Sequence, residues 1–310
     1  MPPGAPTRVM TQFGAERIRA ALPDVEVLEV PIAGDVPAGV AAEVLFGVPI
    51  WSPTLADLLG RGVTWLHLAG TGVDTLPPEA FEGRVVTCAR GAAAVPIAEF
   101  CLAAMLAAVK SLPESWIEGP PEQPGMAQLG ELNGQTLGLV GLGGIGTALA
   151  ERARAMGMRV VAVRRTGAPG PEGVEVVGDL GDLLGEADHL VLAAPATART
   201  HHLLDADAFK RAKPGVHVVN IARGSLIDHD ALLEALDDGT VGRATLDVTE
   251  PEPLPAGHPL YTHPRAKISA HISWSSPRAF ERMIDLFIEN VRRCQRGETL
   301  EGVVDVDEGY

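Results

Sequence analysis

Short apolar runs alternate with helical periodicity along most of the chain. Runs at Val25–Val30, Val44–Gly47 and Trp65–Leu68 read as strands, and the patterns at Ala15–Leu22 and Thr54–Leu59 between them read as helices. The pattern changes at Pro96. An almost wholly apolar helix is expected from there to Lys110, followed by a Pro/Gly-rich stretch over 118–125. A second, stronger alternation follows, with strands expected at Leu137–Val140, Arg159–Val163, Val174–Val177, His189–Ala193, Val216–Asn220, Ala244–Val248 and Lys267–Ser269. A long amphipathic helix over Ala279–Arg296 and a polar tail come last.

Strands separated by helices imply parallel βαβ units. The expected fold class is therefore α/β, with two Rossmann-like domains built on parallel sheets. Residues 1–98 are expected to form one domain, made discontinuous by the return of 277–310, and 99–276 the other.

Composition narrows the classes. Hydrophobic residues make up 46% and charged residues 21% of the 310, which suits a globular chain with ample core. The longest apolar run, Phe100–Val109, is half of the roughly twenty residues that span a bilayer, so no membrane partner is expected. Cys88, Cys101 and Cys294 are widely spaced and form no CxxC pair. With an N-terminus lacking an apolar signal core, they point to a reducing cytoplasm. Lys and Arg number 25 against 40 Asp and Glu, a net charge of −15, which disfavours nucleic-acid partners because cations must replace phosphate counterions.

The sharpest local signal is Gly141-Leu-Gly143-Gly144-Ile145-Gly146, entered by an apolar strand and left by a helix over Ile145–Met156. That context makes GxGxxG a dinucleotide fingerprint. Gly141 serves the tight turn, Gly143 the approach of a pyrophosphate, and Gly146 the helix–strand packing. The helix N-terminus offers N–H groups and partial positive charge to phosphate. The second strand ends in Arg164-Arg165-Thr166, where NAD-binding units carry a carboxylate for the ribose. Guanidinium groups and a hydroxyl suit a 2′-phosphate instead, so NADP(H) is expected to be preferred over NAD(H).

Three further strand ends carry ionisable groups: Arg223 after Asn220-Ile221-Ala222, the pair Glu250 and Glu252 after Asp247, and His271 before Ser273-Trp274. Ligands of such sheets bind at the carboxyl ends of strands. One Arg, one Glu and one His there suit a 2-keto acid. Arg223 can hold and polarise the substrate bidentately, and His271 can exchange a proton with the substrate oxygen. Glu252 would orient the ring and compensate its charge when protonated.

With these motifs the chain resembles the D-isomer-specific 2-hydroxyacid dehydrogenases, of the glyoxylate/hydroxypyruvate reductase type. The resemblance also runs through Gly70-Thr71-Gly72-Val73-Asp74, Val95–Glu99, Pro195–Thr200 and the Val303-Val-Asp tail. It implies that Glu252 rather than Glu250 is the catalytic glutamate, and that amides of Gly70, Thr71, Gly72 and Val73 bind the substrate carboxylate. It further implies that Asp247 holds the nicotinamide carboxamide, and that Ile97 packs near that ring. Pro195 and Thr200 would line the adenosine side, and Gly144, Ile145, Ile221, Ala222 and Ser273 complete the implied cofactor set. Formate and phosphite oxidation are disfavoured by Glu252 and Thr71, where such enzymes carry Gln and Lys. Three positions depart from the family pattern: Ala270 replaces a proline, Ser273-Trp274 replaces a small residue, and Arg164 replaces an aspartate.

The resemblance also implies a homodimer formed through the nucleotide domain. The reaction expected is interconversion of a small 2-keto acid and its D-2-hydroxy acid, run as reduction with NADPH. A non-catalytic, corepressor-like dinucleotide sensor on the same fold is the alternative; with no low-complexity extension to recruit partners, it is the less expected. No metal site is expected, since the His201-His202 pair has no Cys or acidic residue at ligand spacing.

Overall fold

The computed structural model describes residues 4–49, 52–121, 123–166, 168–306 and 308. The chain divides into two compact units, Met1–Ala93 with Ser276–Tyr310, and Ala94–Ser275.

The first unit holds β1 (Arg8–Thr11), α1 (Ala15–Ala21), β2 (Glu26–Glu29), β3 (Val44–Gly47), α2 (Leu55–Leu59), β4 (Trp65–Leu68) and β5 (Val85–Cys88). They form a parallel sheet in the order β2-β1-β3-β4-β5. Every residue of β3 and β4 is buried; β3 reads as an unbroken apolar run, and β4 is broken only by His67. The strand β1 does not stand out in the sequence, because only its Val9 and Met10 are apolar, yet it lies inside the sheet.

The second unit opens with α3 (Ala94–Val109). It continues through β6 (Thr136–Val140), α4 (Gly144–Ala155), β7 (Arg159–Val163), β8 (Val174–Val177), α5 (Leu180–Leu184) and β9 (His189–Leu192). It then adds α6 (Ala206–Arg211), β10 (Val216–Asn220), α7 (His229–Asp238), β11 (Val241–Leu246) and β12 (Ala266–Ile268). The sheet is parallel throughout, in the order β12-β11-β10-β9-β6-β7-β8. Strand order reverses at β6, with β7 on one side and β9 on the other. That is the topological switch point at which such sheets bind ligands. The strand β11 begins and ends earlier than the expected Ala244–Val248. Gly242 lets it start beside Gly215, whose carbonyl would lie 2.6 Å from any Cβ at 242, and Asp247 leaves the strand to organise the loop that follows.

The helix α8 (Pro277–Gln295) belongs to the first unit, capped by the Ser276 hydroxyl, which accepts from the Ala279 N–H at 3.0 Å. Its Phe287 is fully buried and stacks on Phe46 with centroids 4.5 Å apart. The last segment then follows β5, with the Val304 N–H donating to Val86 O at 2.9 Å. Among the described residues no helix is long and apolar enough to cross a membrane.

Candidate active site

The turn after β6 is made by glycines for physical reasons. Gly141 has φ +102°, a conformation that side chains rarely adopt, and a Cβ there would sit 2.7 Å from Ala193 O. A Cβ on Gly146 would strike the carbonyl oxygen of Gly141. Gly143 differs: it is exposed, and open space lies where its Cβ would be. It is also the N-cap of α4 and supplies no side chain to the first helical turn, which contains Gly144 and Ile145. An open, uncapped helix N-terminus at the switch point fits a pyrophosphate, so these residues suit a dinucleotide.

Arg164, Arg165 and Thr166 follow the carboxyl end of β7, adjacent to this turn, where the Gly141 N–H donates to Val163 O at 2.9 Å. Arg164 is half-buried and its Nη1 reaches Pro169 O at 3.5 Å, while Arg165 and Thr166 are exposed. After β9, the Thr200 hydroxyl donates to Pro195 O at 2.7 Å and accepts the Thr197 N–H at 2.8 Å. Thr200 thus shapes the loop that carries Pro195.

Arg223, Glu252 and His271 lie on the loops after β10, β11 and β12, which are adjacent strands. The imidazole Nδ1 of His271 is 2.7 Å from Glu252 Oε1. A carboxylate only accepts, so Nδ1 carries the hydrogen, and Nε2 is the ring nitrogen whose lone pair suits proton exchange. The His271 side chain is sheltered at 15% exposure, whereas Glu252, at 30% for its side chain, belongs to an exposed stretch of loop. The Arg223 loop is set by Asn220, which is fully buried. Its Nδ2 donates to Arg223 O at 2.8 Å, and its Oδ1 accepts from the Ala222 N–H at 3.0 Å. Gly224 brings the Arg223 and Glu252 loops together, since a Cβ there would overlap the Thr249 and Glu250 backbone. Ile221 and Ala222 are buried in the same turn.

Asp247 plays a part that its place in the sequence motif does not reveal. It is 1% exposed. Its Oδ1 accepts from the Ser269 hydroxyl at 2.6 Å and from the Ile272 N–H at 2.9 Å, and its Oδ2 accepts from the Ser273 N–H at 2.9 Å. One carboxylate therefore binds both flanks of His271, whose backbone is left-handed at φ +55°. The His271 N–H itself donates to Asp247 O at 2.9 Å. That turn is unfavourable for a side-chain-bearing residue and persists because its surroundings hold it. Trp274 adds a further tie, its Nε1 donating to His271 O at 2.9 Å.

Gly70–Val73 follows β4 in the first unit, with Thr71 exposed and Val73 buried. The expectation that His201-His202 lacks an acidic neighbour needs correction. The fold places Glu250 Oε2 within 4.0 Å of His201 Nε2 and 3.8 Å of His202 Nε2, although 48 residues separate His202 from Glu250 in the sequence.

Residues 102–273 match the family model described as D-isomer specific 2-hydroxyacid dehydrogenase, NAD binding domain. The chain belongs to this family. It is 35% identical over 247 residues to a D-3-phosphoglycerate dehydrogenase of Methanocaldococcus jannaschii, a match covering 77% of this chain and 47% of that protein. The chain thus spans about half the length of that relative. It is 34% identical over 230 residues to a glyoxylate reductase of Korarchaeum cryptofilum, covering 70% of this chain and 68% of the other. A solved D-isomer specific 2-hydroxyacid dehydrogenase from Xanthobacter autotrophicus Py2, in complex with NADPH and MES, superposes with a TM-score of 0.80. That match has 25% identity and covers 99% of this chain and all of the other. The two parallel sheets are those of this dehydrogenase family, whose members are NAD(P)-binding oxidoreductases.

Proposed function

We propose that this dehydrogenase-family chain reduces a small 2-keto acid of the glyoxylate or hydroxypyruvate type to its D-2-hydroxy acid, with NADPH preferred over NADH. The observation that carries the reading is the 2.7 Å hydrogen bond between His271 Nδ1 and Glu252 Oε1, on loops next to Arg223. The cofactor supplies hydride when bound; Gly141–Gly146 would hold its pyrophosphate, and Arg164, Arg165 and Thr166 its 2′-phosphate. Arg223 would pair with the carboxylate and ketone oxygens of the substrate, and the amides of Gly70–Val73 would contribute to carboxylate binding.

A ketone gaining hydride develops negative charge on oxygen. Protonated His271 supplies the proton through Nε2 while Glu252 keeps Nδ1–H in place and balances the ring's charge. In the oxidative direction, neutral His271 takes that proton back. The domain assignment follows: 99–276 binds the cofactor, and 1–98 with 277–310 takes the substrate. A corepressor-like role is the weaker reading, but not on account of Arg223, Glu252 and His271, which such a protein can retain; turnover separates the two. The proposed compartment is the cytoplasm, supported by Cys88, Cys101 and Cys294, which are buried thiols.

Turnover of glyoxylate, hydroxypyruvate, pyruvate and phenylpyruvate with NADPH tests the reading. His271→Ala should lower kcat by roughly 10²–10⁴-fold, the usual contribution of a positioned acid, with cofactor affinity unchanged. Near-normal turnover in that variant would refute the mechanism.

A further inference from the structure

We propose that His201, His202 and Glu250 form a site for one divalent transition-metal ion of the zinc type, on the loops at the carboxyl edge of the second unit's sheet. These residues take no part in the proposed catalysis, so the inference stands or falls independently of it.

The two imidazoles stack with centroids 4.0 Å apart and planes 24° from parallel, and both turn Nε2 toward Glu250 Oε2. The donor atoms of all three side chains lie within 4.8 Å of one another. Zinc binds His nitrogen and carboxylate oxygen at about 2.0–2.2 Å, which sets tetrahedral donors roughly 3.4 Å apart. The observed 3.8 and 4.0 Å separations need to close by only a few tenths of an ångström. The rings must also splay so that their lone pairs converge. Side chains 56% and 41% exposed have room to do so.

The backbone beneath the cluster is built to hold it. His202 sits in a left-handed turn at φ +48°, and its N–H donates to Ser225 O at 2.7 Å. Gly224, beside Ser225, abuts the backbone of Thr249 and Glu250. The loops after β9, β10 and β11 are therefore joined before any ion arrives. Asp228 is placed where a metal-bound imidazole usually has a carboxylate partner, though the contact is longer than a hydrogen bond. Its Oδ1 accepts from the Asp230 N–H at 3.0 Å and the Ala231 N–H at 3.2 Å, capping α7, while Oδ2 faces His202 Nδ1 at 3.9 Å. Were that gap to close on ion binding, the carboxylate would keep a hydrogen on Nδ1 and leave the Nε2 lone pair for the ion.

Two imidazoles and one carboxylate suit zinc-type ions, whereas calcium and magnesium sites are built from oxygen. Water would complete the coordination. An ion here would tie Glu250, two residues from Glu252, to the loop of Thr200, and so would clamp the edge on which the candidate active site is built.

The test is calorimetric titration of Zn²⁺ into the untagged full chain after chelator treatment. One saturable equivalent is expected, together with a Zn²⁺-dependent rise in thermal midpoint. His202→Asn removes the imidazole while tolerating the left-handed turn, and Glu250→Gln removes the carboxylate charge. Each should weaken binding at least tenfold and abolish the thermal shift. His263→Gln, at an imidazole outside the cluster, should leave both unchanged. Absence of saturable binding in the parent chain, or parent-like affinity in both His202→Asn and Glu250→Gln, would overturn the proposal.

Discussion

The indole N–H of Trp274 donates to the main-chain carbonyl of His271 at 2.9 Å. A residue that departs from the family pattern thus braces the left-handed turn carrying the candidate proton donor. Trp274→Phe keeps an aromatic ring and removes the donor, a loss of about 1 kcal/mol for an ordinary hydrogen bond. We expect kcat to fall roughly fivefold, since about 1.4 kcal/mol is tenfold, with KM for the cofactor unchanged. Steady-state kinetics that show unchanged kcat alongside a lowered thermal midpoint would reduce the indole to a packing element.

Cofactor choice should follow the end of β7. If Arg164 and Arg165 meet a 2′-phosphate, each charge-assisted contact contributes roughly 1.5–3 kcal/mol. One such contact should then favour NADPH over NADH by about 10- to 100-fold in kcat/KM, and both together by more. Arg164→Asp should erase or invert that ratio. Equal kcat/KM for both cofactors in the parent chain would make these arginines mere surface charges.

The face of α3 argues for a dimer. All but one residue of the helix is apolar, yet in the single chain only Ile97, Ala98, Cys101 and Met105 are buried. Leu102, Leu106 and Val109 are only partly covered, and beyond the helix Trp116 is 73% and Ile117 64% exposed. An all-apolar helix is stable in water when its other faces are covered, and a second copy would cover them. Sedimentation at micromolar concentration should give about twice 32.5 kDa. A stable monomer under those conditions would remove the proposal.

Three buried histidines should make the fold acid-sensitive. Burial holds His67 and His217 down to about 3 and His189 to about 4, against an ordinary value of 6.5. In His189 the neighbouring Asp188 charge works against that shift. His189 and His217 form one chain: Gln135 Oε1 to His189 Nε2 at 2.8 Å, Nδ1 to Nδ1 at 3.0 Å, and His217 Nε2 to Thr245 Oγ1 at 2.9 Å. The Nδ1–Nδ1 contact needs one nitrogen to accept, so the two rings cannot both be protonated within it. Because the folded values lie below the unfolded one, the unfolded chain binds more protons below pH 6.5. Stability is therefore complete above pH 6.5 and is lost as pH falls toward 4. Each ring contributes up to about 1.4 kcal/mol per pH unit in that window. Urea unfolding at pH 7.5 and 5.0 should show this fall, and a pH-independent midpoint would contradict it.

The alternation of strands and helices, the glycine turn and the Arg223, Glu252 and His271 positions were legible in the sequence. Each has a local cause: a strand buried on both faces is an apolar run, and Gly141 and Gly146 stand where the backbone leaves no room for a Cβ. The strand β1 was not legible, because its neighbours in the sheet, not its own four residues, place it inside. The left-handed turn at His271 was hidden for the same reason, since Asp247 holds it from another strand.

By itself the sequence determined the class of fold, the dinucleotide turn and the residue types available for proton transfer, because periodicity and motif spacing are properties of neighbours along the chain. Only the tertiary structure decided which of those residues meet. Glu252 comes within hydrogen-bonding distance of His271, and Glu250 comes within 4.0 Å of His201 and His202, because parallel strands deliver their following loops to one edge of the sheet. Close approach at Gly224 then sets those loops side by side. Proximity across that edge depends on strand order, and strand order is fixed by packing between segments far apart in the chain.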